Sequence, residues 1–521
     1  MIRITNPITR LDYPDPDVIR VGDTYYMVST TMHFMPGCEI LRSYDLVNWE
    51  HVVYVYDRLD STPGQTLEGE ANSYGKGMWA ASLRYHKGIF YVCFVANDTG
   101  KTYLYTSSTV EGPWEKHCIK GFYHDCSLLF DEDDRVYIAY GNREIYITEL
   151  KSDCSGPLEG GLHRLAVKDS KTCALGYEGT HFYKINGRYY LFFIHSLEDR
   201  WMRAEACFMS QSVDGTFTGG DVLVDDMGFW GQGVAQGGIV DTPEGKWYGI
   251  LFQDSGAVGR IPVLVPVSWD NHRPVFGEGG KAPRTFMVSS LRPHYLYEPL
   301  VQSDDFKGEK GLDKETARRR YGCFGLKSVW QFNHEPDVSL LSLDQEQGIL
   351  WMTAGKVCRR LTQARNVLTQ RMLYPGCSGE ITVNVGELKE GDCAGLCVLQ
   401  GCYGMIGVTR REGKLYVVMR GAEPNAQNRA ETEEKEWESL EVMEDEIRLK
   451  AEADFTDRKD EVRFYCLYHG EWKMVGVTHK LYFRLDHFTG GRFGLFLYAA
   501  KEKGGRAGFR NFVYGCKDKK E

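Results

Sequence analysis

Length, composition and charge exclude several classes of protein. The chain has 521 residues, of which 42% are hydrophobic, 13% aromatic and 26% charged, and this predicts a globular protein of two or three domains. Its net charge of −10 and the lack of a basic block argue against nucleic acid or an anionic membrane as a partner, and no apolar run of about 18 residues is present to span a membrane.

The first two segments concern the location of the protein and its first candidate carboxylate. MIRITNPITRL (1–11) has no basic stretch followed by an apolar one, so no signal peptide is visible and a cytoplasmic location is expected. The next segment, YPDPDVIRVGDTYYMV (13–28), places Asp15 and Asp17 among prolines directly before a strand. Pro14 and Pro16 restrict the backbone around Asp15, as a positioned functional carboxylate requires. An Asx-type turn is the alternative.

A short pattern recurs along the first half of the chain: a polar or glycine turn, two β-forming residues and an apolar run. The second β-forming residue is always tyrosine, at Tyr26, Tyr91, Tyr137, Tyr190 and Tyr248. The intervals are 65, 46, 53 and 58 residues, and each holds further strand-like segments. Units of about 40–50 residues with several short strands are typical of a β-propeller, so five units predict five blades.

The same position in each unit carries a distinctive side chain. Counting back eleven or twelve residues from the five tyrosines reaches Asp15, Trp79, Asp125, Glu178 and Gln236. This position begins the first strand of each unit, and the innermost strands of a propeller line its axis. We therefore expect the five side chains to meet in one funnel. Asp17 lies outside this register and is assigned to a turn or a surface pair.

Three converging carboxylic acids predict glycosidic bond cleavage. Like charges in one site raise at least one pKa, so the groups divide into an acid and a base. No metal-ligand pattern accompanies them, so no metal and no required cofactor are expected, with a structural calcium left open. One protonated carboxyl can donate to the leaving oxygen while an ionised one activates water. The third acid can position the first and tune its pKa.

Several stretches between residues 6 and 270 resemble the β-xylosidases and α-L-arabinofuranosidases of glycoside hydrolase family 43. They include NPITRLDYPDPDVIRVGDTYYMV, GMWAASLRYHKGIFYV, DCSLLFDEDDRVYIAYG, YEGTHFYKINGRYYLF and AQGGIVDTPEGKWYGILFQDSGAVGRIPVLVPVSW. The resemblance implies a five-bladed propeller and inversion at the anomeric carbon. It makes Asp15 the general base, Asp125 the pKa modulator and Glu178 the general acid. It also implies that Arg260 pairs with the base or the sugar, and that Trp79 walls the sugar pocket.

The chain departs from the family pattern at three places near the sugar. WAA stands for the common WAP, Met32 replaces a usual aromatic residue, and GQGVAQGG carries Gln236 where many members have an axial histidine. These changes leave the acids in place and bear on which pentoside is cut.

Four further residues carry expectations. His33 and Phe34, in the loop TTMHFMPG, are candidates for sugar contact, with packing as the alternative. Trp230, on the glycine-rich loop MGFWGQG, is a candidate sugar platform. His181 follows Glu178 by three residues, so strand alternation places it on the opposite face and predicts core packing.

The second half lacks the blade signature. After the charged connector DKETARRR, alternating strands and hairpin turns predict a β-sandwich, and WQFNHEPD and ARNVLTQR resemble the concanavalin-like C-terminal domain of family 43 β-xylosidases. The 15 cysteines include a tight group, Cys393, Cys397 and Cys402, which lacks paired zinc-ligand spacing and is better read as free thiols in a reducing compartment.

These observations predict an all-β chain with a five-bladed propeller (1–300), a connector (301–320) and a concanavalin-like jelly-roll sandwich (321–521) packed beside the funnel. The predicted activity is exo-hydrolysis of terminal β-D-xylosyl or α-L-arabinofuranosyl residues with inversion. The partner is an oligosaccharide substrate, and a homo-oligomer is left open. A retaining propeller glycosidase and a non-catalytic sugar-binding propeller are the alternatives. Inversion requires the Asp15 and Glu178 carboxyls to lie about 6.5–9.5 Å apart.

Overall fold

The structure is a computed structural model that describes residues 1–169, 172–400, 402–423 and 433–517. The strands of its first half, in chain order, are β1 (Ile2–Thr5), β2 (Asp17–Val21), β3 (Thr24–Ser29), β4 (Phe34–Met35), β5 (Gly37–Ser43), β6 (Glu50–Tyr56), β7 (Met78–His86), β8 (Ile89–Ala96), β9 (Lys101–Ser107), β10 (Glu115–Ile119), β11 (Ser127–Phe130), β12 (Val136–Asn142), β13 (Glu144–Leu150), β14 (His163–Lys168), β15 (Glu178–Ile185), β16 (Arg188–Ser196), β17 (Arg203–Ser210), β18 (Thr218–Leu223), β19 (Ala235–Asp241), β20 (Trp247–Asp254), β21 (Arg260–Asp270), β22 (Arg273–Phe276) and β23 (Thr285–Val288).

These strands form five antiparallel sheets of four strands each, which confirms the predicted five-bladed propeller. The sheets are β2-β3-β5-β6, β7 to β10, β11 to β14, β15 to β18 and β19 to β22. The innermost strands are β2, β7, β11, β15 and β19, and β19 neighbours β2, so the ring closes. Outside the blades, β1 pairs with β23.

The second half is a sandwich of two large antiparallel sheets, as predicted. Its strands are β24 (Gln331–Asn333), β25 (Leu341–Asp344), β26 (Ile349–Thr353), β27 (Leu368–Arg371), β28 (Gly376–Asn384), β29 (Asp392–Gln400), β30 (Cys402–Arg411), β31 (Lys414–Ala422), β32 (Lys435–Val442), β33 (Glu446–Asp454), β34 (Glu461–Tyr468), β35 (Glu471–Met474), β36 (His479–Lys480), β37 (Arg492–Ala499) and β38 (Arg506–Cys516). In one sheet, strands such as β28 and β33 bury alternate residues, whereas β29 and β37 of the other sheet are buried along their whole length.

Between the halves lies a short helix, α1 (Lys314–Arg320). The Asp313 side chain accepts a hydrogen bond from the Thr316 amide and caps its first turn. Single 3₁₀ turns occur at Gly256–Val258, Cys323–Gly325, Val338–Leu340, Leu361–Gln363 and Thr456–Arg458. In the described part of the chain, no helix has the length and apolar character needed to cross a membrane.

The two halves share one continuous structure. The two residues of β4, from the first blade, pair with β24 and extend a sandwich sheet. One hydrophobic core contains Tyr13 and Val258 of the propeller together with Phe332 and Met372 of the sandwich. A buried ion pair joins Glu39 to Arg371, with 2.8 Å between Oε2 and Nη1. The connector therefore does not hold the domains together alone, because backbone pairing, apolar contact and charge all cross the seam.

Candidate active site

Each innermost strand is entered through one residue in the left-handed backbone region. These residues are Asp15, Ala80, Asp125, Gly179 and Gln236, with φ of 51°, 35°, 47°, 64° and 55°. Positive φ is uncommon outside glycine, so its recurrence in five blades marks a structural device. The five residues surround a small cavity of about 10 Å³ on the axis, enough for about one water molecule.

This geometry corrects the predicted register in two blades. Trp79 and Glu178 lie one residue before the left-handed position, which Ala80 and Gly179 occupy. The pairing of β7 with β8 shifts after Trp79, and that of β15 with β16 shifts after Glu178. Such β-bulges add a residue to one strand, so counting from the tyrosines cannot separate the two positions.

Asp15 is a buried carboxylate with both oxygens occupied. The Thr30 hydroxyl donates to Oδ2 at 2.6 Å, and Arg260 Nη1 donates to Oδ1 at 2.6 Å. Thr30 also accepts the Ala80 amide at 2.8 Å, which ties the first blade to the second. A hydroxyl and a guanidinium thus fix the orientation of this carboxylate.

Arg260 is part of a buried chain of alternating charges. Its Nε donates to Asp254 Oδ1 at 3.2 Å, and the other oxygen of Asp254 accepts from Arg203. Burial alone would lower the pKa of Arg260, but Asp15 and Asp254 raise it, so the guanidinium stays charged. Sequence reasoning missed Asp254 and Arg203, although Asp254 lies only six residues before Arg260 in a stretch that carried the family resemblance.

Asp125 and Glu178 share a histidine that sequence reasoning also missed. His124 Nε2 lies 3.6 Å from Asp125 Oδ2 and 3.9 Å from Glu178 Oε2. Burial, with the nearby charges of Glu178 and Asp15, raises the pKa of Asp125 to about 6 against the opposing effect of His124. Asp125 in turn raises the pKa of His124 to about 9. Its position directly before Asp125 was the available signal.

Hydrogen bonds fix these two acids. The Gly179 amide donates to Asp125 Oδ2 at 3.0 Å, and Asn142 Nδ2 donates to Glu178 Oε2 at 2.6 Å. The Glu178 side chain is 22% exposed, whereas that of Asp15 is 3% exposed. The pocket therefore opens to solvent on the side of Glu178.

The donor atoms of His124, Asp125 and Glu178 lie within 4.8 Å of one another, close enough for a metal ion. A metal ion there would have to displace the proton that Asp125 favours on His124, because Asp125 raises the pKa of His124 to about 9 and a metal ligand must be deprotonated. That no cofactor is required stays a prediction.

The sandwich contributes a wall to this pocket. Phe488, on the loop before β37, lies 5.2 Å from the Trp79 ring, and its ring centroid is 4.0 Å from the Arg260 guanidinium carbon. The predicted pocket residues Trp79 and Arg260 thus meet a phenylalanine of the other domain. No sequence pattern singled out Phe488, because its loop has no repeat.

Gln236 lines the small cavity on the propeller axis. The backbone amide of Gln236 donates to Glu205 Oε2 at 2.7 Å. The Gln236 side chain packs so closely on Gly179 that a Cβ atom added to residue 179 would lie 2.4 Å from Gln236 Cδ. Burial raises the pKa of Glu205 well above its usual value.

The assignment of Asp17 to a turn or surface pair is wrong. Asp17 is fully buried in β2, and its Oδ2 accepts from Arg84 Nη1 at 2.6 Å and from the Leu83 amide at 2.8 Å. It lines the axial cavity, and its ion pair with Arg84 joins the first blade to the second. His181 is buried as expected, with Nε2 3.6 Å from Asp17 Oδ1.

His33 and Phe34 lie in the seam between the domains. His33 Nε2 lies 3.0 Å from Asn333 Oδ1, and its ring centroid is 4.6 Å from that of His334 and 5.3 Å from that of His487. The Arg492 guanidinium carbon is 3.6 Å from the Phe34 centroid. Both residues are almost fully buried, so the structure supports packing, the alternative to sugar contact.

Trp230 is half exposed but is separate from the acids. It lines a cavity of about 260 Å³ together with Gln253, Ser255, Arg284 and Tyr374, and the Arg458 guanidinium carbon lies 5.9 Å from its ring centroid. The structure therefore places Trp230 beside the sandwich, in a cavity whose lining includes none of the three acids; that it is a sugar platform stays a prediction.

Comparison with known proteins shows the family of the chain. The family model described as "Glycosyl hydrolases family 43" matches residues 4–274. The chain belongs to this family. The "Beta xylosidase C-terminal Concanavalin A-like domain" model matches residues 325–515 of this family 43 enzyme.

Relatives match along most of the family 43 chain. A beta-xylosidase of Formosa agariphila is 25% identical over 98% of this chain and 90% of its own. A non-reducing end alpha-L-arabinofuranosidase of Bacteroides ovatus is 26% identical over 80% of this chain and 77% of its own. A solved structure named "Bifunctional GH43-CE", from Bacteroides eggerthii, has 41% identity and a TM-score of 0.89. It covers 99% of this chain, which spans only 64% of that longer protein.

Proposed function

We propose that this glycoside hydrolase removes terminal β-D-xylosyl or α-L-arabinofuranosyl residues from plant-derived oligosaccharides with inversion. The observation that carries the proposal is the division of the three acids. Asp15 is buried and held by Arg260 and Thr30, whereas Glu178 is partly exposed at the pocket mouth. A base inside and an acid outside match attack by water from one side and departure of the aglycone on the other.

The proposed reaction uses only groups of this chain and water. Glu178 donates a proton to the glycosidic oxygen as the bond to the anomeric carbon breaks. Asp15 removes a proton from the water that forms the new bond on the opposite face. Asp125, whose pKa is raised to about 6 by burial, shares His124 with Glu178 and orients the acid.

The exo mode and the pentose class are supported by the pocket wall and by the relatives. Trp79 and Phe488 meet at the boundary between the domains and narrow the funnel on the sandwich side, which favours a substrate that enters by its chain end. The names beta-xylosidase and non-reducing end alpha-L-arabinofuranosidase belong to relatives that match this chain over most of its length. We also propose a reducing compartment, since no disulfide joins the 14 cysteines whose side chains the structure describes, and most of them are buried.

A panel of nitrophenyl glycosides tests the proposal. Turnover should be highest with a β-D-xyloside or an α-L-arabinofuranoside, and Asp15→Ala should lower kcat/KM by orders of magnitude. Glu178→Ala should lose less on a nitrophenyl glycoside than on an oligosaccharide, because nitrophenolate needs little protonation. Proton NMR of the first-formed sugar should show the inverted anomer. A retained anomer would instead establish the retaining alternative, and sugar binding without turnover would establish the non-catalytic one.

A further inference from the structure

The side of the pocket that receives the leaving group follows from the position of the acid. This argument rests on the proposed function, in which Glu178 protonates the leaving oxygen. Glu178 begins β15 and pairs with Ile194 of β16. The sandwich covers the side of Asp15, because Phe488 packs on Arg260, the arginine that pairs with Asp15. The leaving group therefore extends over the loops of the fourth blade that rise next to Glu178.

Among the described residues, the loop that joins β16 to β17 carries one exposed aromatic side chain. Trp201 lies in the segment 197–202 between β16 and β17, and the pairing of Ser196 with Arg203 closes this loop. The segment thus rises from the sheet edge at which β15 starts with Glu178. Trp201 is 37% exposed between the polar residues 198–200 and Arg203.

The Trp201 ring contacts a buried cation. The Arg203 guanidinium carbon lies 5.5 Å from its ring centroid, and Arg203 is almost fully buried. Arg203 and Arg260 both donate hydrogen bonds to the Asp254 carboxylate. A cation beneath an aromatic ring is stabilising, so the ring rests on the same buried charge chain that holds Asp15.

A single exposed apolar residue needs no functional explanation by itself, and Trp230 provides the comparison. Trp230 is more exposed than Trp201 but lines a different cavity, beside Tyr374 of the sandwich. Trp201 alone of these two tryptophans combines exposure, the side of the acid and a link to the catalytic charges.

We propose that Trp201 is the stacking platform for the first sugar unit of the leaving group. The enzyme then recognises an oligosaccharide on both sides of the scissile bond. The apolar face of a pyranose or furanose ring packs on the exposed indole, while the other indole face stays on Arg203.

Two substrates of one pentose separate this role from catalysis. A glycosyl fluoride has no sugar on the leaving side, whereas the corresponding disaccharide (xylobiose beside β-D-xylosyl fluoride, or the arabinofuranosyl pair) places one over Trp201. Trp201→Ala should lower kcat/KM for the disaccharide about tenfold, as expected for loss of about 1.4 kcal/mol, and leave the fluoride within twofold. Trp201→Phe should restore most of the loss, and Trp230→Ala should change neither substrate.

Unchanged disaccharide hydrolysis by Trp201→Ala would overturn the proposal. An equal loss on both substrates would also overturn it, because the ring would then act only by supporting Arg203. Thermal unfolding of each variant and a second replacement, Trp201→Leu, distinguish these results from misfolding. If the parent enzyme hydrolyses neither compound nor any nitrophenyl pentoside, the proposed function itself fails.

Discussion

Phe488→Ala removes the wall that the sandwich lends to the propeller. In the structure the ring is 6% exposed, its centroid lies 4.0 Å from the Arg260 guanidinium carbon, and it contacts the Trp79 ring edge-on at 5.2 Å. Without it, solvent reaches the Asp15–Arg260 ion pair, and the higher dielectric weakens the interaction that orients the base. The sugar also loses one side of its pocket.

The size of the effect follows from the two contacts. A desolvated cation–π contact contributes about 2 kcal/mol, and an edge-on aromatic pair contributes about 1 kcal/mol. If both act only in the closed pocket, the loss of about 3 kcal/mol corresponds to about a hundredfold decrease in kcat/KM. Phe488→Leu fills part of the volume without a π face, so it should lie between the parent and the alanine variant.

The assay is kcat/KM on the best nitrophenyl glycoside, with thermal unfolding measured in parallel. Leu485→Ala is the matched control, because Leu485 lies on the same loop and is 45% exposed; it should behave as the parent. If Phe488→Ala unfolds like the parent and stays within twofold of its kcat/KM, the sandwich does not shape the pocket and the reasoning is wrong.

Three further predictions concern titratable groups. Burial lowers the pKa of His334 to about 3 and that of His487 to about 4, whereas both side chains take up a proton near pH 6.5 in the unfolded chain. Lowering the pH from 7 to 5 should therefore decrease the free energy of unfolding by about 2 kcal/mol for each histidine. A free energy of urea unfolding that stays constant over this pH range would contradict the prediction. Glu205→Gln should stabilise the fold at pH 7 but not near pH 4. Burial raises the pKa of Glu205, so the carboxyl ionises more readily in the unfolded chain, and this difference favours unfolding as the pH rises. His124→Gln removes a cation 3.9 Å from Glu178, so the alkaline limb of the kcat/KM profile should move to higher pH; an unmoved limb would show that His124 does not tune the acid.

The propeller and its acids could be predicted because both repeat locally. The tyrosine of each second strand recurs in every blade, and strand entry lies a nearly constant distance before it. Asp15, Asp125 and Glu178 therefore stood out without knowledge of tertiary structure. The bulges that place Trp79 and Glu178 one residue earlier depend on pairing between strands, which periodicity does not report.

Other site residues could not be predicted, because contacts between distant segments define them. Phe488 meets Arg260 only after the domains dock. Two residues in what read as a sugar-binding loop, Phe34 and Met35, instead form a strand of the sandwich sheet. The sequence around Asp17 resembled a turn, but Asp17 lies in the core, where Arg84 of the next blade balances its charge. In each case the partner is far along the chain, and the side chain alone favours the wrong environment.

One carboxylate explains why the pocket belongs to both domains. Asp12 Oδ1 accepts the Arg260 amide at 2.8 Å, and its Oδ2 accepts the Gly490 amide, also at 2.8 Å. Asp12 lies three residues before the base, and Gly490 lies two residues after Phe488. The same side chain therefore sets the distance between Asp15, its arginine and the phenylalanine that covers them. Burial raises the pKa of Asp12 to about 6, so this link is electrostatically costly. The Gly490 amide offsets part of that cost, and it reaches Asp12 only when the propeller and the sandwich are docked.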